Sequence, residues 1–232
     1  MIVFDGVGFE TIAPVLVEDV RVSPISMTAT ARQRPIRWGT DFVRMTGGSR
    51  TVNIMFGLLT EDADARQDQL RQITRWARSD KPKRLCLPYR DGLYLEAICT
   101  ALPDPSTRQW WESKLRITFT TMENPYWTSD EEKSAACGTA FAVLGDAEPL
   151  MRIERTLTGA ATNQSYSDGV RTMTFSSIPA GQFVIDLNRQ TAAVSGSSIM
   201  SAYAFGSQFI KPGTGAHTIT GAGTVFWRER WE

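Results

Sequence analysis

Histidine is almost absent from this sequence, with one residue, His217, in 232. Any Ser-His-Asp or Cys-His nucleophilic site has to pass through it. It stands in Gly215-Ala216-His217-Thr218, near the edge of a β-like run, and a partly exposed strand-end histidine is the simpler reading. Cysteine is scarce as well: Cys86, Cys99 and Cys137 show no zinc-ligand spacing with one another or with His217. Three cysteines cannot all pair internally. In a hairpin turning at Asp91-Gly92 the strand partner of Cys86 is Ala97, which leaves Cys99 a diagonal neighbour too far away for a disulfide. The reading is three free thiols, packed as small apolar residues, and a reducing compartment during folding.

Surplus charge is also missing. Lysine plus arginine equals aspartate plus glutamate at 25 each, and from Gly138 onward the count is 7 against 7. Bulk attraction to nucleic acid needs excess cations and is excluded on this balance, although local patches are not. No apolar run approaches the roughly 18 residues of a membrane span. Met1-Ile2-Val3-Phe4-Asp5 lacks the basic start of a signal peptide, so the expectation is a soluble protein made in a cytoplasm. Asn163-Gln164-Ser165 then matches a glycosylation acceptor by chance. Gly213-Thr214-Gly215 and Gly221-Ala222-Gly223 lack the Lys-Ser/Thr of a phosphate loop and read as turns. No metal or cofactor is implied.

What is present is mostly β. In Arg50 to Leu59, Val52, Ile54, Phe56 and Leu58 share one face, the period of a half-buried strand. From Glu61 to Arg78 the period changes, with Ala63, Leu70, Ile73, Trp76 and Ala77 forming one apolar stripe. This amphipathic helix carries Glu61, Asp62, Asp64 and Asp68 at its start and Arg75 and Arg78 at its end, complementing the macrodipole. That placement explains the carboxylates better than a glycosidase pair does. Thr60 or Asp62 serves as N-cap, and Lys81-Pro82 stops the helix. Arg84 to Tyr89 and Leu93 to Cys99 follow as strands around the Asp91-Gly92 turn. Glu112 to Met122 alternates again, with Leu115, Ile117 and Phe119 inward.

Between Thr11 and Arg34 the alternation is weaker: Val15 and Val17 share one parity, Val20 and Val22 the other. Ser26, Thr28 and Thr30 form a polar row opposite Ile25, Met27 and Ala29, a ribbon suited to project beyond its sheet. Arg32 to Gly48 is basic and Gly-ended, and reads as a long hairpin tip, either a solvated loop or an intersubunit contact. Its Arg34, Arg37, Trp38 and Arg44 are candidate interface residues, joined by Trp110 and Trp111 near the Pro103-Asp104-Pro105 turn. Adjacent tryptophans on an extended segment point to opposite faces, so at least one is available to a surface.

From Gly138 onward come 11 of the 18 glycines and no helical period. Short runs appear at Leu150 to Leu157, Thr172 to Phe175, Phe183 to Leu187, Ala192 to Val194, Gln208 to Ile210, His217 to Ile219 and Val225 to Arg230. Their spacing indicates an antiparallel sandwich or jelly roll. Two domains are expected, 1–130 and 145–232, with the seam near Asp130 to Gly145. Trp227 and Trp231 lie four apart on one strand face; core packing is the default for them, and a sugar or partner contact the alternative.

The order strand, helix, hairpin, strand, followed by Glu123-Asn124-Pro125-Tyr126-Trp127 and a glycine-rich β-domain, resembles the distal tail protein family of long-tailed, non-contractile bacteriophages. The strand Val52 to Leu58, the helix Asp62 to Arg78 and the short Leu87-Pro88-Tyr89 strand resemble that family's N-terminal domain. Gly145-Asp146-Ala147-Glu148-Pro149 before a strand, Phe183-Val184-Ile185-Asp186 with a partner ending at Gly196, and Lys211-Pro212-Gly213 before His217-Thr218-Ile219 resemble its C-terminal half.

The resemblance implies a tail-tube-like β-sandwich with one flanking helix, then a galectin-like β-sandwich. It implies a structural virion protein and not an enzyme, a ring, six-fold in relatives, that joins the tail tube to the tail-tip adsorption apparatus. The N-terminal domain would line the channel, with the sandwich outside. Implied partners are further copies of the chain, the tail tube protein, a tail-tip hub or tail-associated protein, the tape measure and receptor-binding proteins, and DNA only in transit. The implied location is the phage tail tip, after assembly in the host cytoplasm, with no membrane. Longer family members insert a carbohydrate-binding module, for which this chain has no room. A carbohydrate-binding module recognising host cell-wall polysaccharide is the alternative reading.

Overall fold

The computed structural model describes residues 1–33, 40–60, 62–103 and 115–232, with backbone alone at 31–33, 40–46 and 63. The chain divides into two compact units, Met1–Trp127 together with Glu232, and Thr128–Trp231.

In the first unit the elements are β1 (Val3–Phe4), β2 (Val7–Gly8), α1 (Phe9–Ile12), β3 (Val15–Val22), β4 (Met27–Gln33), β5 (Thr40–Gly47), β6 (Thr51–Leu58), α2 (Ala63–Ala77), β7 (Lys83–Cys86), β8 (Leu93–Ala101) and β9 (Leu115–Thr121). Seven of the strands form an antiparallel sheet in the order β3-β6-β9-β8-β7-β1-β2. The alternation in β6 has its expected result, because Val52, Ile54 and Phe56 are wholly buried. The inward row of β9, Leu115, Ile117 and Phe119, is buried as well. In β3 the register shifts between Val17 and Asp19. One extra residue at Glu18 changes the parity of the strand, the physical reason that its valines occupy odd and then even positions.

Helix α2 starts where Asp62 accepts a hydrogen bond from the Ala65 amide at 3.1 Å and ends at Arg78, before Lys81-Pro82. Ile73 and Ala77 are fully buried. Trp76 stacks on Phe9 at 4.9 Å, meets Phe4 and Phe119 edge-on at 5.8 and 6.0 Å, and donates Nε1–H to the Val7 carbonyl at 3.0 Å. One indole thereby joins the helix to α1, β1, β2 and β9, its apolar body against aromatic rings and its polar atom satisfied.

Two expectations need correction here. In β7 and β8, Cys86 faces Tyr94 and not Ala97. The connection is longer than a two-residue turn, with successive bonds from the Arg90 amide to the Leu87 carbonyl and from the Leu93 amide to the Arg90 carbonyl. Pro88 cannot donate to the ladder, so the strand ends at Cys86. Gly92 takes the left-handed conformation, φ 71°, that closes the loop. All three cysteines are free thiols.

Strand β10 (Trp127–Ser129) straddles the division. The second unit follows with β11 (Lys133–Ala136), β12 (Ala140–Val143), β13 (Ala147–Leu157), β14 (Ala161–Ser167), β15 (Thr172–Ile178), β16 (Gly181–Asp186), β17 (Thr191–Val194), β18 (Ser197–Ser198), a single 3-10 turn (Met200–Ala202), β19 (Gly215–Thr218) and β20 (Thr224–Trp231). Its main sheet runs β18-β17-β16-β13-β20, with β11 on the far side of β20. The hairpin β14–β15 and the pair β12–β19 cover it. Between the layers Phe183 meets Phe175 at 5.3 Å and Tyr166 at 6.2 Å, and Trp227 stacks on Phe141 at 4.6 Å.

The sequence reading missed β11, β12 and β14. In β14, Ala161 to Ser167, the row is Thr, Asn, Gln and Ser with Tyr166 the one large inward residue, so no apolar alternation announces it. The run Gln208 to Ile210 is not a strand; Gln208 makes one backbone bond to Thr172, and Ile210 is a core residue held in a loop. The β13 register breaks between Ala147 and Leu150, around Pro149. Asn188 fills the gap, its Oδ1 accepting from the Met151 amide at 2.7 Å and its Nδ2 donating to the Pro149 carbonyl at 2.9 Å. Gly221, at φ 134°, leaves the space that the Tyr166 ring occupies.

A charge cluster holds β13 to its neighbours. Arg152 binds both oxygens of Glu132, at 2.6 and 2.9 Å, bonds Glu154 at 2.5 Å, and lies 4.9 Å over the Phe226 ring. The hydrogen bond from Arg152 holds the Glu132 carboxyl below the ordinary glutamate range. A depressed carboxylate stabilises the fold above its unfolded value, about 4.3, and that contribution is lost as pH falls through its folded value. Glu132→Gln is therefore expected to lower the denaturation midpoint at pH 7, with the gap to the native sequence closing as pH drops below about 4.3, measured by urea titration across pH. In the same assay Phe183→Ala, which empties a buried site, is expected to cost about 3–5 kcal/mol. Asp62→Ala, which removes one exposed cap, is expected to cost about 1 kcal/mol.

Candidate functional site

Reactive residue types converge nowhere among the described residues. No group of three or more His, Cys, Asp or Glu side chains is placed to share a metal ion. His217 is half-buried, with its Nε2 2.9 Å from the Gly213 carbonyl and its ring 5.8 Å from Phe141. It fastens the Gly213 turn to β19. Asp62 caps α2, and Asp68 pairs with Arg71 at 2.9 Å on the exposed helix face.

Two surfaces of the first unit stand out instead. The first is the β4–β5 ribbon, whose strands pair only with each other, in a two-stranded sheet of their own. Met27, Thr28, Ala29 and Thr30 are all exposed, so over these residues the alternation of β4 buries neither face in its own unit. An isolated two-stranded hairpin is at best marginally stable in water, so such a ribbon gains from a covering surface. Its base is tied by the Ser26 amide to the Ser49 carbonyl and by the Gly48 amide to the Ser26 carbonyl.

The second is a cleft of about 700 Å³ at the foot of that ribbon. Its floor is Trp127, 2% exposed, with the Arg50 guanidinium 6.0 Å and the Arg90 guanidinium 5.5 Å from the ring centroid. Val20, Val22, Ile25 and Met27 supply apolar wall, and Tyr89, Tyr126 and Glu232 complete the rim. Arg50 is 5% exposed, and its Nε, buried, has no hydrogen-bond partner. Burial, and then the charge of Arg90, push its pKa down, while Glu232 acts in the opposite sense. Tyr89 is pushed up by burial. The Arg50 backbone is fixed from both sides, its amide donating to Thr121 Oγ1 at 2.8 Å and its carbonyl accepting from the Thr121 amide at 2.9 Å.

Of the interface residues expected from sequence, Arg34, Arg37, Trp38, Trp110 and Trp111 lie outside the described residues. Arg44 falls in β5 opposite Thr30, and its side chain is likewise not described. Trp227 packs as the default reading of that stripe has it, 5% exposed and stacked on Phe141, while Trp231 is half-buried. Between them Glu229, 4% exposed, takes Lys133 Nζ at 2.9 Å and the Leu144 amide at 3.1 Å on one oxygen. Sequence reasoning missed Arg50, Arg90 and Trp127 as a group. No local signal marks them, since the three positions lie far apart in the chain.

No protein-family model and no curated protein matches the chain. Solved structures do. The crystal structure of the Dit protein (gp 19.1) of phage SPP1, described as a paradigm of the hub adsorption apparatus in phages infecting Gram-positive bacteria, superposes with a TM-score of 0.75 at 14% identity, over 100% of this chain and 98% of that one. The chain has the fold of a phage distal tail protein. Two structures of the phage p2 baseplate in its activated conformation, with strontium and with calcium, match at a TM-score of 0.45 and 10% identity, over 94% of this chain and 91% of theirs. The distal tail fold is the one that the element order around α2 and the Glu123 to Trp127 run suggested. No helix among the described residues is long and apolar enough to cross a membrane.

Thr121→Val keeps the shape of that side chain and leaves the buried Arg50 amide without its acceptor. It is expected to lower stability by about 1–3 kcal/mol, read by thermal denaturation of the full chain.

Proposed function

We propose that this chain is a structural protein of a phage tail tip, a distal tail protein whose copies form a ring between the tail tube and the adsorption apparatus. The observation that carries the reading is the full-length agreement with SPP1 Dit, in which both units find counterparts and almost no chain is left over on either side. The β4–β5 ribbon supports it from within, since a strand exposed on both faces is suited to burial against a neighbouring copy. In this reading the first unit, 1–130 in the sequence division, builds the ring and its channel wall. The second, 145–232, is a sandwich offered to adsorption proteins. The balance of 25 cationic and 25 anionic side chains suits a wall past which DNA moves without being gripped. Six copies, as the family resemblance implies, are the expected number.

Light scattering on the eluting size-exclusion peak, followed by electron microscopy of that peak, tests the proposal. A hollow ring is expected, and replacing residues 28–46 by a short Gly-Ser turn is expected to return monomer with unchanged circular dichroism from the remaining β structure. A protein that stays monomeric at every concentration, with and without tail tube protein, contradicts the reading. A monomer that binds host cell-wall polysaccharide would favour the carbohydrate-binding alternative.

A further inference from the structure

The Arg50–Trp127–Arg90 cleft has a chemical specificity of its own. We infer that it is a binding site for one carboxylate, an Asp or Glu side chain presented by an extended segment of a partner protein. Two cations approach the Trp127 ring, Arg50 at 6.0 Å and Arg90 at 5.5 Å, and the charge of Arg90 acts on Arg50. Held together they repel, and an anion between them relieves that repulsion. Arg50 is 5% exposed and its buried Nε is unsatisfied by any hydrogen bond, while its backbone is pinned by Thr121. A guanidinium so placed is pre-oriented, and side-on pairing through Nε and one Nη is a geometry that carboxylates accept in bidentate fashion. A buried donor without a partner calls for an explanation, and a ligand oxygen supplies one.

The charge count selects the ligand class. Glu232 lies on the rim and acts electrostatically on Arg50, so the positive charge that Arg50 and Arg90 offer a ligand is already partly offset, and a monoanion suits it better than a dianion. A phosphate dianion or a run of nucleic-acid phosphates would be under-compensated and would meet the Glu232 carboxylate. The walls select the source. Val20, Val22, Ile25 and Met27 present apolar surface beside the cations, and a volume of about 700 Å³ exceeds what a free carboxylate fills. A side chain carried between apolar neighbours fits both. The inference does not depend on ring formation.

The test is a side-chain amide spectrum of the uniformly 15N-labelled full chain, following the Arg50 Nε–Hε resonance, assigned by its loss in Arg50→Lys. The probes are acetyl-Val-Glu-Val-amide, its Gln counterpart, acetate and inorganic phosphate. The glutamyl peptide is expected to move the resonance saturably, the glutaminyl peptide to leave it in place, and acetate to move it only at concentrations at least about tenfold higher. Arg90→Met, at an exposed position, is expected to weaken the glutamyl peptide by about tenfold without altering other resonances. Equal response to the two peptides overturns the carboxylate assignment, and so does a stationary Arg50 resonance. Tighter binding of phosphate overturns the ligand class. Acetate binding as tightly as the peptide overturns the protein source.

Discussion

The burial of one strand face sets the terms for the first unit. Val52, Ile54 and Phe56 of β6 are removed from water completely, and each such side chain contributes roughly 1.5–3 kcal/mol. That burial requires β3 and β9 on either side for backbone pairing, and an apolar cover, for which Phe9 supplies an edge-on contact to Phe56 at 5.0 Å. The stripe of α2 is completed by Trp76 against Phe9 and Phe119. The bulge in β3, the Asp62 cap and the stop at Lys81-Pro82 are adjustments that let these pieces meet. The second unit solves the same problem without a long helix. Aromatic residues from β14 and β15 are laid over β16, and Phe141 over Trp227.

Against that economy the β4–β5 ribbon is an exception. The rest of the first unit spends its apolar alternation on a core, whereas Met27 to Thr30 are exposed residue after residue. Strand residues exposed at both parities are suited to contact with another chain, and exposed strand edges without a covering partner are an aggregation hazard. The cleft at its foot follows the same logic in polar terms. A desolvated arginine whose buried Nε has no hydrogen-bond partner is costly to keep unless a partner group completes it. Ribbon and cleft adjoin through Ile25 and Met27, so a partner that covers one is placed to reach the other.

Legibility in the sequence followed burial. Where one face is wholly apolar, as in β6 and β9, or where the period is helical, as in α2, element type and inward residues could be read directly. The parity change in the β3 valines was visible too, but only the paired register shows it to be a bulge. Strands with polar rows, β14 above all, gave no period, because a strand that buries only Tyr166 and its neighbours on a hairpin needs few apolar residues. The Cys86 register was misread since Asp91-Gly92 looks like a two-residue turn, while Pro88 ends the ladder early and lengthens the loop. The Arg50–Trp127–Arg90 grouping joins positions far apart in the chain and has no local signature. A sequence reaches it only through the fold.

The central claim is that the β4–β5 ribbon is completed by another subunit in an assembled tail tip. Hydrogen–deuterium exchange over Met27–Gln33 and Thr40–Gly47, compared between the dilute chain and assembled tail particles, addresses it most directly. Markedly slower exchange in the particle, confined to the ribbon and its base, is the expected result. Equal exchange in the two states would contradict the claim.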